Sequence, residues 1–472
     1  MKKLNELITC EYDTIIKGVV SDTREVESGF LFVAIKGFFV DRFDYLDKAL
    51  ENGAAAVIVD RKPSFEVDVP VIIVENVNQV YLDVLGKFHN NVEKDFSFIG
   101  ITGTDGKTTV AMMLWQLLDN FIPSAYMGTN GLYYQDTIRK LSNTTPEPAA
   151  MYKELDLLHE KQCQCVIMEA ASEALLHGRC DALEMKYAIL TNITEDHLDI
   201  HKTMENYVAA KKKLFHLVKE DGCSIVNMDD VNYNTIIEGL TTKVYSYGMN
   251  EEADFTIKNV IRKEEVTTFD IEFLGYKYSI ESPYFGLYNV YNLTSAIAVL
   301  LLEGYPFDLI KELVKKLSPI PGRGEALDFD QDYTLILDYA HTENGVETIL
   351  KEINQNSYDR VITVIGSAGG RQKDKRSKMG KYALDYSDLV IFTMDDPRHE
   401  NVDDIIDDLI SGTNKDNYLR INDRKDAIHH ALSLAKKGDV VMVLGKGRDS
   451  YMAIGSERID YSDYDTIKEY FD

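Results

Sequence analysis

Short apolar runs separated by amphipathic stretches dominate the chain, a pattern of buried strands alternating with helices. Near the start, Phe30-Leu31-Phe32-Val33-Ala34-Ile35, Ala55-Ala56-Val57-Ile58-Val59 and Val71-Ile72-Ile73-Val74 read as strands, and 46–52 reads as a helix ended by Gly53. These make residues 1–95 a small α/β unit. A second unit opens at Phe96-Ser97-Phe98-Ile99-Gly100-Ile101-Thr102 and holds further strands at Cys165-Val166-Ile167-Met168 and Ala188-Ile189-Leu190. Residues 254–262, 267–273 and 276–280 are β-rich with partial alternation, which predicts antiparallel strands. A helix over 289–303 follows. Ser318-Pro319-Ile320-Pro321-Gly322 breaks the helical pattern and marks a linker. Beyond it, strands at Leu335-Ile336-Leu337, Val361-Ile362-Thr363-Val364-Ile365, Val390-Ile391-Phe392 and Val440-Val441-Met442-Val443-Leu444 alternate with helices.

Composition sharpens this picture. A chain of 472 residues exceeds what one core supports, about 250–300 residues, so several domains are expected. No run of 18 apolar residues occurs, and Met1-Lys2-Lys3-Leu4-Asn5-Glu6 is followed by no apolar stretch. Neither a membrane span nor a secretory signal is predicted, and a cytoplasmic protein is expected. The net charge of −27 argues against a nucleic-acid partner. Five scattered cysteines read as ordinary thiols of a reducing compartment; Cys163-Gln164-Cys165 is too isolated for a zinc knuckle.

The most informative segment is Gly100-Ile101-Thr102-Gly103-Thr104-Asp105-Gly106-Lys107-Thr108-Thr109, which follows an apolar strand. It precedes the helical stripe Val110, Met113, Leu114, Leu117 and Leu118. Strand, glycine loop and helix N-terminus make an anion cradle, with about half a positive charge at the helix end. Lys107 is placed for the β and γ phosphates and Thr108 for a magnesium ion. The strict P-loop pattern needs a glycine where Ile101 stands, so this is a variant loop in which Gly103 makes the tight turn. Glu169 ends an apolar strand and is a second candidate for magnesium. His197 and His201 stand four apart, but Leu198 sits where a zinc protease needs glutamate; His197 is read as a magnesium ligand. In Ala209-Ala210-Lys211-Lys212-Lys213, Lys212 and Lys213 read as a solvated face. The predicted fold class is α/β in three domains, 1–95, 96–318 and 319–472. A central P-loop ATPase-like parallel sheet carries an added antiparallel segment, and a Rossmann-like domain ends the chain.

Together these segments resemble the Mur ligase family, in the right order and over almost the whole chain. The phosphate loop resembles its ATP loop. Asn192-Ile193-Thr194-Glu195-Asp196-His197-Leu198-Asp199 resembles its metal-site segment, and Asn289-Val290-Tyr291-Asn292 its adenine-contacting helix. Pro321-Gly322-Arg323-Gly324-Glu325 resembles its interdomain arginine turn, and Leu337-Asp338-Tyr339-Ala340-His341 its ribose-contacting strand end. The branch is similar to the UDP-N-acetylmuramoyl-tripeptide synthetases (MurE type). Ser21-Asp22-Thr23-Arg24, Asn143-Thr144-Thr145-Pro146, Gly366 to Arg376, Asp395-Asp396-Pro397-Arg398 and Gly445-Lys446-Gly447-Arg448-Asp449 carry that likeness. The departures are Asp105 for the usual asparagine, Ala171-Ser172-Glu173 for Ser-Ser-His, Asp41-Arg42 for Asp-Gly, Asp396 for asparagine and Asp449 for glutamate.

The resemblance implies ATP and Mg²⁺ as cofactors. It implies ATP contacts from Gly103, Thr104, Asp105, Gly106, Lys107, Thr108, Thr109, Asn289, Arg323 and Asp338. Catalysis falls to Lys107, Glu169, His197 and Lys211, and metal binding to Thr108, Glu169, His197 and Lys211 as a carbamate. A UDP-MurNAc-dipeptide would meet Ser21, Thr23, Asn143, Thr144, Thr145, Ser172, His177 and Arg179. The incoming amino acid would meet Arg376, Asp395, Asp396, Pro397, Arg398, Gly445 and Asp449. Arg398 and Arg376 favour a distal carboxylate, as in meso-diaminopimelate; L-lysine or another diamino acid is the alternative. A monomer is expected. Rival readings are a folate polyglutamate ligase, a degenerate ATP-binding scaffold, and a mechanical or switch P-loop protein.

Overall fold

The computed structural model describes residues 1–37, 40–262 and 266–472. Three sheets carry the architecture. The first has strands Gly18–Val20, Phe30–Val33, Ala56–Val59 and Val71–Ile73, all parallel and in chain order. Its helix Val77–Phe88 buries Tyr81, Val84 and Leu85.

The long central sheet has eleven strands. Its parallel heart places Ser97–Thr102 between Cys165–Glu169 and Met185–Leu190. Ser124–Gly128 flanks one side, and Val218–Asn227 and Lys243–Gly248 the other. Every residue of Cys165–Glu169 is buried, because helices cover both faces. The expected antiparallel segment is Phe255–Arg262, Thr267–Phe273 and Tyr276–Ser282, joined to this sheet through a short parallel pairing at Tyr247 and Phe255. The apolar helix Leu287–Leu302 packs against the phosphate-loop helix Lys107–Leu118.

The third sheet runs Glu325–Ala326, Thr334–Asp338, Val440–Leu444, Val361–Ile365, Leu389–Phe392, Tyr418–Arg420, parallel except at its first strand. A hairpin, Tyr451–Ile454 with Glu457–Asp460, and the helix Asp463–Phe471 end the chain. This layout is the α/β arrangement expected from the apolar runs. The Asp196 segment and the loop 103–106 follow central strands, and Asp338, Asp395 and Gly445 end or follow third-sheet strands, so these ends face one cleft. Four of the five cysteines are buried, and all five are free thiols. Among the described residues no helix is long and apolar enough to cross a membrane.

Candidate active site

The phosphate loop is shaped by contact as well as by conformation. A Cβ at Gly103 would lie 1.8 Å from Thr191 Oγ1, so only glycine lets the loop rest on that neighbour. Lys107 Nζ curls back and donates to Gly103 O at 3.0 Å and Thr104 O at 2.8 Å. Burial pushes its pKa down, against the pull of Glu169 and Asp105. An anion here meets loop N–H groups, a helix N-terminus and this lysine.

Thr108 and Glu169 are already paired: Thr108 Oγ1 donates to Glu169 Oε2 at 2.9 Å. The other carboxylate oxygen accepts from Tyr126 Oη at 2.6 Å and Thr129 N at 2.9 Å. Gly128 makes room for this, since a Cβ there would lie 2.2 Å from Glu169 Oε1. Thr129 Oγ1 meets Thr144 Oγ1 at 3.0 Å, and Thr145 Oγ1 donates to Glu169 O at 2.7 Å. The turn 143–145 is thereby tied to the strand end that carries Glu169.

Lys211, on the helix Met204–His216, is buried and donates to Gly103 O at 2.6 Å. Burial, with Lys107 nearby, drives its pKa far below the usual lysine range. His197 has φ 55° and sits 3.3 Å from Asp196. Burial lowers the imidazole pKa to about 4, and Lys107 and Lys211 push the same way. Burial alone would raise the Asp196 carboxyl, but His197, Lys375 and His341 hold it well below the ordinary range.

The third sheet closes the cleft. Arg323 Nη2 donates to Thr108 Oγ1 at 3.0 Å, with its guanidinium over the Tyr339 ring. Asp338 accepts from Gly324 N at 2.6 Å and Ala340 N at 2.7 Å; burial raises its pKa to about 6. Asp105 turns away from the loop, accepting from Thr342 Oγ1 at 3.2 Å and Asn344 Nδ2 at 3.0 Å. Further along, Lys446 Nζ lies 2.8 Å from Asp396, 3.5 Å from Asp449 and 3.9 Å from Asp395. Burial, reinforced by Asp395 and Asp396, lifts Asp449 to about 6. Arg398 has φ 50° and donates from Nη1 to Gly369 O at 2.7 Å. All these groups line one cleft of about 1500 Å³, apart from Gly103, Gly369, Lys446 and the supporting Tyr126, Gly128, Gly324 and Thr342.

Three family profiles match in sequence: Mur ligase family, catalytic domain, over 15–89; Mur ligase middle domain over 101–300; and Mur ligase, glutamate ligase domain, over 322–447. The chain is 33% identical to the UDP-N-acetylmuramoyl-L-alanyl-D-glutamate--2,6-diaminopimelate ligase of Bacillus cereus, covering 99% of this chain and 98% of that one. The chain belongs to the Mur ligase family. A solved UDP-N-acetylmuramoyl-L-alanyl-D-glutamate--2,6-diaminopimelate ligase superposes with a TM-score of 0.69 at 27% identity, covering 100% of this chain and 99% of that one. The MurF ligase of Thermotoga maritima, solved in complex with ADP, shares the fold at a TM-score of 0.67 and 21% identity, covering 97% of this chain and 98% of that one.

Within this Mur ligase, the cleft gathers Thr104 to Thr109, Asn143 to Thr145, Glu169, Ser172, Arg179, His197, Lys211, Asn289, Arg323 and Asp338. It also gathers Asp395, Asp396, Arg398, Gly445 and Asp449. Ser21, Thr23, His177, Arg376 and Pro397 do not line it. Ser21 lies at the end of Gly18–Val20, where Arg42 donates to its carbonyl and hydroxyl oxygens. Arg376 needs correcting as a grip for the amino acid. It points inward, its guanidinium held by Glu400, Asp408 and Ala368 O. The cleft-lining cations of that loop are Arg371 and Lys375, which meet Asp199 at 3.1 Å and Asp196 at 3.7 Å. His201 pairs with Ser172 Oγ at 3.0 Å, away from His197's partners. Sequence reasoning also missed Tyr126 and Thr129, which hold Glu169, and His341 at the domain junction. His341 sits in a segment already quoted; Tyr126 carries no local signal.

Proposed function

We propose that this Mur ligase uses ATP to join 2,6-diaminopimelate to UDP-N-acetylmuramoyl-L-alanyl-D-glutamate, through domains at 1–95, 96–318 and 319–472. The observation that carries the reading is the convergence of Lys107, Thr108, Glu169, Lys211, Arg323 and Asp338 on one cleft that also holds Asp396 and Arg398. A carboxylate does not react with an amine in water, because O⁻ leaves poorly. Transfer of the γ-phosphoryl group to the precursor's glutamyl carboxylate expels ADP and makes an acyl phosphate. The amine then attacks the acyl carbon, and phosphate leaves. Lys107 and Arg323 neutralise phosphoryl charge, the loop N–H groups orient it, and domain closure keeps water from the intermediate.

The residues present fit Mg²⁺. Thr108 and Glu169 offer hard oxygens, and Mg²⁺ needs only one or two carboxylates beside phosphates and water. When bound, Mg²⁺ would draw charge from the phosphoryl oxygens. His197 stands neutral and able to donate a lone pair. Lys211 is suited to carbamylation. Burial favours its neutral amine, which would add to CO₂ with release of one proton, giving beside Lys107 a carbamate whose oxygens could hold Mg²⁺. Asp105 is engaged elsewhere, so it does not crowd the phosphates. Arg398 and the acidic trio around Lys446 suit a distal carboxylate beside an ammonium, which diaminopimelate supplies. We read the enzyme as a cytoplasmic protein that acts as a monomer.

The test is phosphate release with ATP, the UDP-MurNAc-dipeptide and each of meso-diaminopimelate, L-lysine and L-ornithine. Release dependent on meso-diaminopimelate is expected. Release with lysine alone would overturn the role of Arg398, and release with none would favour a nucleotide-binding scaffold.

A further inference from the structure

We propose that Asp105 is a positioning residue that locks the third domain onto the nucleotide loop, so the loop that holds ATP also registers arrival of the domain that delivers the amine. This rests on the ligase reading above. The backbone of Asp105 is pinned on both sides. Its N–H donates to Asn192 Oδ1 at 3.0 Å, and its carbonyl accepts from Thr191 Oγ1 at 2.6 Å and Asn192 Nδ2 at 3.2 Å. The side chain therefore leaves the loop in a set direction, toward the N-terminus of the third-domain helix Glu343–Asn354.

That helix end is built to receive it. Thr342 is the N-cap: its Oγ1 accepts from Gly345 N at 2.9 Å while donating to Asp105 Oδ1. Asn344, in the first turn, donates to Asp105 Oδ2. A carboxylate at a helix N-terminus is favoured by the helix dipole, and both its oxygens are satisfied here. When the third domain withdraws, the carboxylate loses both donors and stays one residue from the phosphate-holding turn. Bound ATP would then repel it, and closure offsets that repulsion with two hydrogen bonds and a helix N-terminus. A neutral residue at this place would lack this coupling between nucleotide and domain position.

The test is a reciprocal exchange in the full chain: Asn344→Asp, Asp105→Asn, and both together. Asn344→Asp sets two carboxylates face to face, while an acid in a helix's first turn keeps the helix stable. Two readouts apply: small-angle X-ray scattering with a non-hydrolysable ATP analogue, and the KM for meso-diaminopimelate. Asn344→Asp should open the molecule and raise this KM about tenfold or more, while Asp105→Asn alone should cost a few-fold, as a charged hydrogen bond becomes a neutral one. The double variant should recover both the compact scattering curve and most of the KM. A defect of Asn344→Asp that persists undiminished beside Asp105→Asn would overturn the lock, as would a scattering curve that does not move. The scattering arm reads closure even if no amino acid is ligated, so failure of the lock and of the ligase reading are separable.

Discussion

Replacing Arg376 with methionine separates a pillar from a substrate contact. The guanidinium is fully buried in the helix Asp374–Tyr386. It donates to Glu400 Oε2 at 2.9 Å and Oε1 at 3.1 Å, to Asp408 Oδ2 at 2.8 Å and to Ala368 O at 3.0 Å. It thereby fastens the loop before its own helix to the segment that follows Arg398. Methionine fills the stem but abandons four acceptor oxygens on three residues. Charged hydrogen bonds contribute about 1.5–3 kcal/mol each when secluded, but Glu400 and Asp408 keep contact with water, so the total loss is about 2–4 kcal/mol. For a unit of this size that lowers Tm by roughly 5–15 °C in calorimetry of the ligand-free chain. The Arg376 guanidinium holds Glu400 at about 2, below its usual 4.5. This stability is present above pH 4.5 and lost as pH falls toward 2, so the variant should show a flatter acid limb. Arg398→Met should instead leave Tm nearly unchanged and raise the KM for the amino acid. An Arg376→Met protein that melts like the parent, yet loses only amino-acid affinity, would refute the reasoning.

Other predictions bear on the cleft. Tyr126→Phe removes one donor from Glu169; kcat should fall about tenfold with the amino-acid KM unchanged, read by steady-state kinetics with each substrate varied. Lys211→Ala should lower kcat about a hundredfold or more, and the parent chain under ¹³CO₂ should show a carbamate carbon by NMR that the variant lacks. Asp449 ionises near pH 6, so the amino-acid KM should rise as pH falls through that value, and Asp449→Asn should flatten the profile. Because this pKa is raised on folding, the same protonation makes folding more favourable, so the melting temperature and the KM should rise together as pH falls through 6.

What could be read in the sequence was mainly local. Strand, glycine loop and helix at 97–118 are adjacent in the chain, and the buried parallel strands announce themselves as apolar runs. The antiparallel segment showed because one face of Thr267–Phe273 alternates. Val218–Asn227 escaped notice because Lys219, Glu220, Asp221 and Gly222 interrupt the apolar pattern where the strand starts at the surface. Arg376 was misjudged because its charge outweighed its phase. It stands three, four and seven residues before Met379, Gly380 and Ala383, the buried face of its helix. The direction of Asp105 was hidden for another reason: its partners Thr342 and Asn344 lie in a distant part of the chain, and no local pattern encodes that meeting.

The proposed reaction requires the cleft to bring ATP's terminal phosphoryl group to a carboxylate of the peptide precursor. The direct measurement uses UDP-MurNAc-dipeptide carrying ¹⁸O in both glutamyl carboxylates, with ATP and meso-diaminopimelate, followed by mass spectrometry of the released phosphate. One ¹⁸O per phosphate is predicted, because the oxygen that takes the phosphoryl group departs with it. Phosphate released without label would contradict the account, since it would come from hydrolysis of ATP by water.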